Sequence, residues 1–228
     1  MRGPASLDGI ELSIPGGKGI YPPSEDTFLL LGLLERFVES LPHVEAMGGH
    51  TVLDMGPGAG LATIYLASHF SRVHAVDINP NVVAFVRAEL ARRGLEKRVS
   101  LITGSLLGSL RHDVSEWPYT LACFNPPYLP QEDYDAPRID DSDDGRLHEF
   151  YIDKALYAPD GGKAVLEEFL RETRAHLVSG GGHVFFIKSS LTGIDDVNAW
   201  ARGFGFTIVE GTKMHRFFED IEAYHAIA

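Results

Sequence analysis

The chain has 228 residues, 44% hydrophobic and 23% charged, with a net charge of −12; that length holds one α/β domain or two small ones, with a core that needs no disulfide or metal. A single cysteine, Cys123, excludes an internal disulfide framework and fits a reducing compartment. No apolar run approaches the ~20 residues of a membrane span, the first residues carry no apolar signal-peptide core, and the acidic balance argues against broad electrostatic gripping of nucleic acid.

Residues 1–20, with five glycines and two prolines, read as a flexible arm, and 21–228 as a single domain. Ser24 is a good helix N-cap, and Glu25 and Asp26 suit the positive end of the helix dipole. Leu30, Leu33, Leu34, Phe37, Val38 and Leu41 then recur at helical spacing. Thr51–Asp54 reads as a buried strand, followed by a glycine turn and a helix over Leu61–His69. Arg72–Asp77 is a second strand. Asn79 and Pro80 open another helix as N-cap and first-turn proline, with Val82, Val83, Val86 and Leu90 on one face and Gly94 as its stop. Val99–Thr103 and Tyr119–Asn125 are strands. Residues 131–149 carry eight acids and two arginines and read as a solvated acidic loop, a gate or a surface for a basic partner. Lys163–Leu177 is a helix, His183–Lys188 a strand, Gly193–Arg202 weakly helical and Phe206–Glu210 a strand. Phe217–Ile227 closes the chain as an edge or hairpin strand.

This alternation implies an α/β fold with a mostly parallel sheet covered on both faces. Ligands in such sheets bind beyond the carboxyl ends of the strands, where the strand order reverses. Three groups of residues stand there. The first is the turn Asp54-Met55-Gly56-Pro57-Gly58-Ala59-Gly60, whose glycines let the backbone approach a ligand. The second is Asp77-Ile78, where a carboxylate can accept both hydroxyls of a ribose. A purely structural turn is the plainer alternative. The G-x-G-x-G spacing departs from the dinucleotide G-x-G-x-x-G, and Asp54 would repel a pyrophosphate. It could instead hold the ammonium or face the sulfonium of S-adenosyl-L-methionine.

The third group is Asn125-Pro126-Pro127-Tyr128, directly after a strand. The prolines fix a rigid corner. The Asn125 amide oxygen and the Pro126 carbonyl can converge on the two hydrogens of an NH2 group. Tyr128 offers a face for a flat group. No metal or covalent nucleophile is needed, because the methyl is already activated by the cofactor's sulfur. Orientation should dominate, with hydrogen-bond polarisation second.

At these residues the chain resembles the class I S-adenosylmethionine-dependent methyltransferases of the Asn-Pro-Pro-Tyr type. Within them it resembles the HemK-related release-factor glutamine methyltransferases of archaea and eukaryotes. Tyr21-Pro22-Pro23-Ser24-Glu25-Asp26-Thr27 is similar to the segment that opens that branch, and Asp160-Gly161-Gly162 to its later glycine turn. The resemblance implies a Rossmann-like, mostly parallel seven-stranded sheet with helices on both faces and an antiparallel C-terminal strand. It implies Asn125, Pro126, Pro127 and Tyr128 as catalytic residues. It implies a cofactor site of Tyr21, Pro22, Glu25, Thr27, Asp54, Gly56, Gly58, Gly60, Asp77, Ile78, Ser105, Leu106 and Asn125, with no metal. S-adenosyl-L-methionine would be the cofactor and S-adenosyl-L-homocysteine its product. Ser105 stands where the family usually has Asp, a weaker partner for the adenine amino group. The acidic stretch after Tyr128 looks like an insertion.

The resemblance further implies a cytoplasmic enzyme acting on a protein substrate, the glutamine amide of a translation release factor. A small zinc-binding activator subunit would cover an apolar sheet edge near Val99 and Leu101. Two alternatives stay open. One is a nucleic-acid methyltransferase acting on adenine N6 or guanine N2, with Tyr128 stacking on a flipped base. The other is a non-catalytic cofactor-binding partner subunit. The histidines show no metal-ligand spacing, Cys123 reads as a packing residue, and Ser189 and Ser190 lack a base. Lys188 either touches the substrate or ends its strand in solvent. Phe217 and Phe218 read as core or edge packing rather than as a recognition platform.

Overall fold

A computed structural model describes residue 10 and residues 12–16, 18–41, 49–110, 118–130 and 144–228, with side chains in the last stretch from 149. Seven strands form one sheet: β1 (Thr51–Met55), β2 (Arg72–Asp77), β3 (Val99–Thr103), β4 (Tyr119–Phe124), β7 (His183–Ser189), β8 (Thr207–Arg216) and β9 (Glu219–Ile227). Their order is β3-β2-β1-β4-β7-β9-β8. Pairings from β3 through β7 are parallel, and β9 runs antiparallel to both β7 and β8. A separate two-residue pair joins β5 (Leu129–Pro130) to β6 (Tyr157–Ala158).

The buried strands alternate between two cores, as the two-residue period of a strand requires. Val52, Val73, Leu121, Cys123, Phe185 and Ile187 face one cluster. Leu53, Val76, Ala122, Phe124, Val184 and Phe186 face the other. The first face is covered by α1 (Glu25–Ser40), α2 (Leu61–His69) and α3 (Pro80–Arg92). Helix α1 buries Leu30, Leu31, Leu33, Leu34 and Val38, the stripe its spacing predicts. The second face is covered by α5 (Lys163–His176), through Leu166, Phe169 and Leu170, and by the short α6 (Val197–Gly203). Ahead of α1, Ile10, Leu12 and Ile14 pack against the first cluster. The Asn79 side-chain amide donates to the carbonyls of Lys18 (3.1 Å) and Gly19 (2.8 Å).

Three sequence expectations change. The closing strand β9 is not an edge: it lies between β7 and β8, and β8 is the edge. It is a hairpin strand, but its Ile221, Ala223 and Ala226 are buried core, which a solvent edge would not need. The 193–202 segment is helical only from Val197, after a single 3-10 turn at Ser190–Thr192. The acidic stretch ends in a helix, α4 (Asp144–Leu156); residues 131–143 lie outside the described residues.

The chain runs β1, β2, β3 outward in one direction and returns to place β4 on the other side of β1. The reversal falls between β1 and β4, where a doubly wound sheet opens a crevice at its carboxyl ends.

Candidate active site

Four strand ends deliver residues to that crevice: Asp54 and the glycine turn from β1, Asp77 from β2, Ser105 and Leu106 after β3, and Asn125–Tyr128 after β4. They line a cavity of about 460 Å³, within the ~300–1,000 Å³ range of small-molecule sites. The turn is tied to β2 by the Gly56 N–H, which donates to the Val76 carbonyl at 2.8 Å. Gly60 caps α2 with φ +82°, and a Cβ there would lie 2.7 Å from Val86 Cγ2. Only glycine satisfies both the left-handed backbone and that contact.

Asp54 is buried at 3% exposure. It accepts hydrogen bonds from the Thr63 hydroxyl and from Cys123 Sγ at 3.4 Å. Cys123 is therefore both packing and a partner of Asp54. Asp77 accepts from the backbone N–H of Asn79 (2.8 Å) and Gly58 (3.4 Å). Burial pushes both carboxyls up to about 6. Among the described residues neither has an ion-pair partner. One buried and one half-buried acid in one cavity, without a cation among the described residues, favour a ligand that brings positive charge.

The opposite wall is organised by Asp26, in the first turn of α1 and 3% exposed. Its Oδ2 accepts from Asn125 Nδ2 (3.0 Å), the Tyr128 hydroxyl (2.9 Å) and the Tyr21 hydroxyl (3.3 Å). Its Oδ1 accepts from the Thr27 N–H at 2.6 Å. The helix start is itself fixed by the Ser24 N–H donating to Thr27 Oγ1 at 3.3 Å. Burial, reinforced by Asp26, pushes the Tyr21 hydroxyl up to about 12 and Tyr128 well above the ordinary phenol range. Both stay protonated donors at neutral pH. Because Asp26 takes the NH2 end of Asn125, the amide oxygen is turned away from it. That oxygen, Asn125 Oδ1, is buried and accepts no hydrogen bond among the described residues. Gly162 backs the corner with φ +83°; a Cβ there would fall 2.2 Å from the Pro127 carbonyl oxygen.

Of the predicted site residues, Tyr21, Thr27, Asp54, Gly56, Gly58, Asp77, Ile78, Ser105, Leu106, Asn125, Pro126, Pro127 and Tyr128 line the one cavity. Pro22, Glu25 and Gly60 do not. Pro22 is exposed, Glu25 pairs with Arg216 at the surface, and Gly60 acts behind the turn. Leu106 holds φ +50°, an uncommon conformation for a branched side chain, beside the cavity. Lys188 neither reaches the cavity nor ends in solvent: it is buried between strands and paired with Glu222 at 2.8 Å. Phe217 and Phe218 are not packed but 79% and 96% exposed. Sequence reasoning passed over Asp26 as a site residue, treating it as a dipole acid. It also missed Tyr151, Lys154 and Leu156 of α4, which line the cavity. Among the described residues no group of three His, Cys, Asp or Glu is arranged to hold a metal.

Sheet order and the glycine turn together define the Rossmann-like fold of class I methyltransferases, with the cavity at the strand-order reversal. Residues 52–136 match a family model described as Methyltransferase domain. The chain is 33% identical over 183 residues to the release factor glutamine methyltransferase of Deinococcus radiodurans, covering 79% of this chain and 58% of that protein. It is 35% identical over 119 residues to methyltransferase HEMK2 of Homo sapiens, covering 50% of this chain and 52% of that protein. The E. cuniculi Mtq2 in complex with Trm112, described as responsible for the methylation of the eRF1 translation termination factor, shares the fold. Its TM-score is 0.57 at 20% identity, covering 92% of this chain and 98% of that one. The chain thus resembles the HemK-related release-factor glutamine methyltransferases, and spans less than two thirds of the length of the first curated relatives it matches.

Proposed function

We propose that residues 21–228 act as one S-adenosyl-L-methionine-dependent methyltransferase domain that methylates the side-chain amide nitrogen (N5) of a glutamine in a translation release factor. One observation carries the reading: among the described residues Asn125 Oδ1 is a buried acceptor without a donor, on a corner where Asn125 Nδ2 and the Tyr128 hydroxyl are already held by Asp26. An unpartnered buried acceptor costs about 1–3 kcal/mol. A primary amide presents the hydrogen it lacks.

The cavity fits the cofactor. Asp77 would hold the ribose hydroxyls, Asp54 the positively charged methionine end, and Ser105 and Leu106 the adenine. When bound, S-adenosyl-L-methionine supplies an electrophilic methyl group and leaves as S-adenosyl-L-homocysteine. The protein's own work is orientation. Asn125 Oδ1 accepts one hydrogen of the target NH2 and the Pro126 carbonyl the other, which aims the nitrogen and raises its electron density; one of these two protons is lost to solvent as the nitrogen–methyl bond forms. Asp26 acts through Asn125 and Tyr128, which it positions. Tyr21 and the α1 start close the cavity and exclude water.

The same reading places the enzyme in the cytoplasm with its substrate; no helix among the described residues is long and apolar enough to cross a membrane. It also gives the half-buried Val99 and Leu101 of the edge strand β3 to a small zinc-binding activator subunit. The test is transfer from labelled S-adenosyl-L-methionine to a release factor, with and without such a subunit, the product mapped by mass spectrometry. One methyl on the Gly-Gly-Gln glutamine is the expected result. Cofactor binding without transfer in either condition would overturn the substrate assignment.

A further inference from the structure

We propose that the tip of the β8–β9 hairpin is the docking point for the polypeptide that carries the methyl acceptor. The proposal rests on reading the Asn125 corner as an amide-methylation site. The tip is Phe217-Phe218, and it presents two phenyl rings almost wholly to solvent. Phe217 does so with φ +52°, an outlier conformation for a bulky residue. Leu191, in the neighbouring 3-10 turn, is also 48% exposed. Contiguous exposed aromatic and aliphatic groups mark interaction surfaces.

The tip is held rather than loose. Arg216 pairs with Glu25 at the start of α1 and lies over the Phe217 ring, 5.0 Å from its centroid. Asp220 pairs with Lys213 (2.7 Å) and His215 (2.9 Å). The Asp220 N–H donates to Ser190 Oγ at 3.0 Å, and Ser189 donates to Glu219. These contacts connect the tip directly to the site. Glu25 adjoins Asp26, the anchor of Asn125, and burial, then Asp26, and least of all Glu219 raise the Tyr128 hydroxyl above the ordinary phenol range. The Ser190–Thr192 turn packs on the Leu129–Pro130 segment that leaves the corner. The tip is thus linked to the cavity wall by two routes, through Glu25 beside Asp26 and through the turn packed on the segment of Leu129, which lines the cavity.

The surroundings favour a polypeptide. A phosphate backbone needs free cations, yet Lys213 and Arg216 are each paired with an acid. Glu219 and Asp220 follow the rings directly, and would be repelled by nucleic acid and by an anionic membrane surface alike. Apolar rings rimmed by satisfied ion pairs match the anatomy of a protein–protein contact.

The experiment uses the full chain and the double variant Phe217→Asn, Phe218→Ser. Asparagine tolerates the left-handed backbone at 217, so the hairpin should keep its fold. Two readouts are taken: direct binding of a full-length release factor, and steady-state methylation of that protein and of a short Gly-Gly-Gln peptide. Loss of exposed aromatic anchors should weaken release-factor binding and raise its KM at least about tenfold. The kcat and the peptide kinetics should stay unchanged. An unchanged KM and Kd for the protein would overturn the docking proposal, as would equal losses on protein and peptide. Tip-dependent binding without glutamine methylation by the wild type would uphold docking and sink the amide reading. Absence of both in the wild type would sink both. Tip-dependent binding of a structured RNA oligonucleotide in place of the release factor would overturn the polypeptide assignment.

Discussion

The two walls of the cavity solve opposite problems. On the β1–β2 side, the buried Asp54 and the half-buried Asp77 meet only neutral donors among the described residues, and desolvation raises both to about 6. On the α1–β4 side, one buried acid, Asp26, is saturated with donors and locks Asn125, Tyr128 and Tyr21 in place. Among the described residues the first wall lacks a counter-charge, and the second leaves Asn125 Oδ1 without a donor. On the proposed reading the difference separates two roles: the first wall would gain its stabilisation from a cationic ligand, and the second would orient a neutral one.

Breaking the orienting wall should have the largest effect. Asn125→Ala should lower kcat on the order of 10²–10³-fold, as loss of one preorganised hydrogen-bonding group does, with little change in cofactor affinity by calorimetry. Asp77→Ala should do the reverse. It removes hydrogen bonds to a charged group worth about 1.5–3 kcal/mol, so the cofactor Kd should rise at least about tenfold while kcat at saturating cofactor changes little. Asp26→Asn keeps the size but weakens the anchor. It should lower kcat about tenfold without raising the KM for the methyl acceptor in proportion, the signature of a positioning residue.

The smallest effect is a pH dependence. In the free protein Asp54 and Asp77 take up protons as pH falls through about 6. A cationic ligand needs them ionised, so binding releases those protons. Cofactor affinity should be flat above pH 7 and fall below pH 6, by up to about tenfold per pH unit for each group. Asp77→Asn should make that fall shallower. Titration calorimetry between pH 5 and 8 checks both, and a flat profile would show that the raised carboxyls do not serve the ligand.

Much of this was legible in the sequence because the relevant signals are local. Thr51–Met55, Leu61–His69, Arg72–Asp77 and Pro80–Arg92 follow from buried runs, a glycine turn and an Asn-Pro cap. Asn125-Pro126-Pro127-Tyr128 announces itself by proline geometry. What could not be read depends on distant contacts. Asp26 meets Asn125 across 99 positions of chain and Tyr128 across 102, and in sequence it is one of two acids in a first turn. Lys188 and Glu222 pair only because β9 inserts beside β7. The exposure of Phe217 and Phe218 runs against composition, since two adjacent phenylalanines ordinarily signal core. Helix α4 was hidden by the acids preceding it, and Lys154 reaches the cavity from it.

The central claim is that Asn125 Oδ1 waits for an amide hydrogen. It is tested most directly by single-turnover methyl transfer to a Gly-Gly-Gln peptide at saturating cofactor, comparing wild type with Asn125→Ala. The account predicts that both proteins bind S-adenosyl-L-methionine alike and that the variant's transfer rate falls on the order of 10²-fold or more. Equal rates in the two proteins would contradict it.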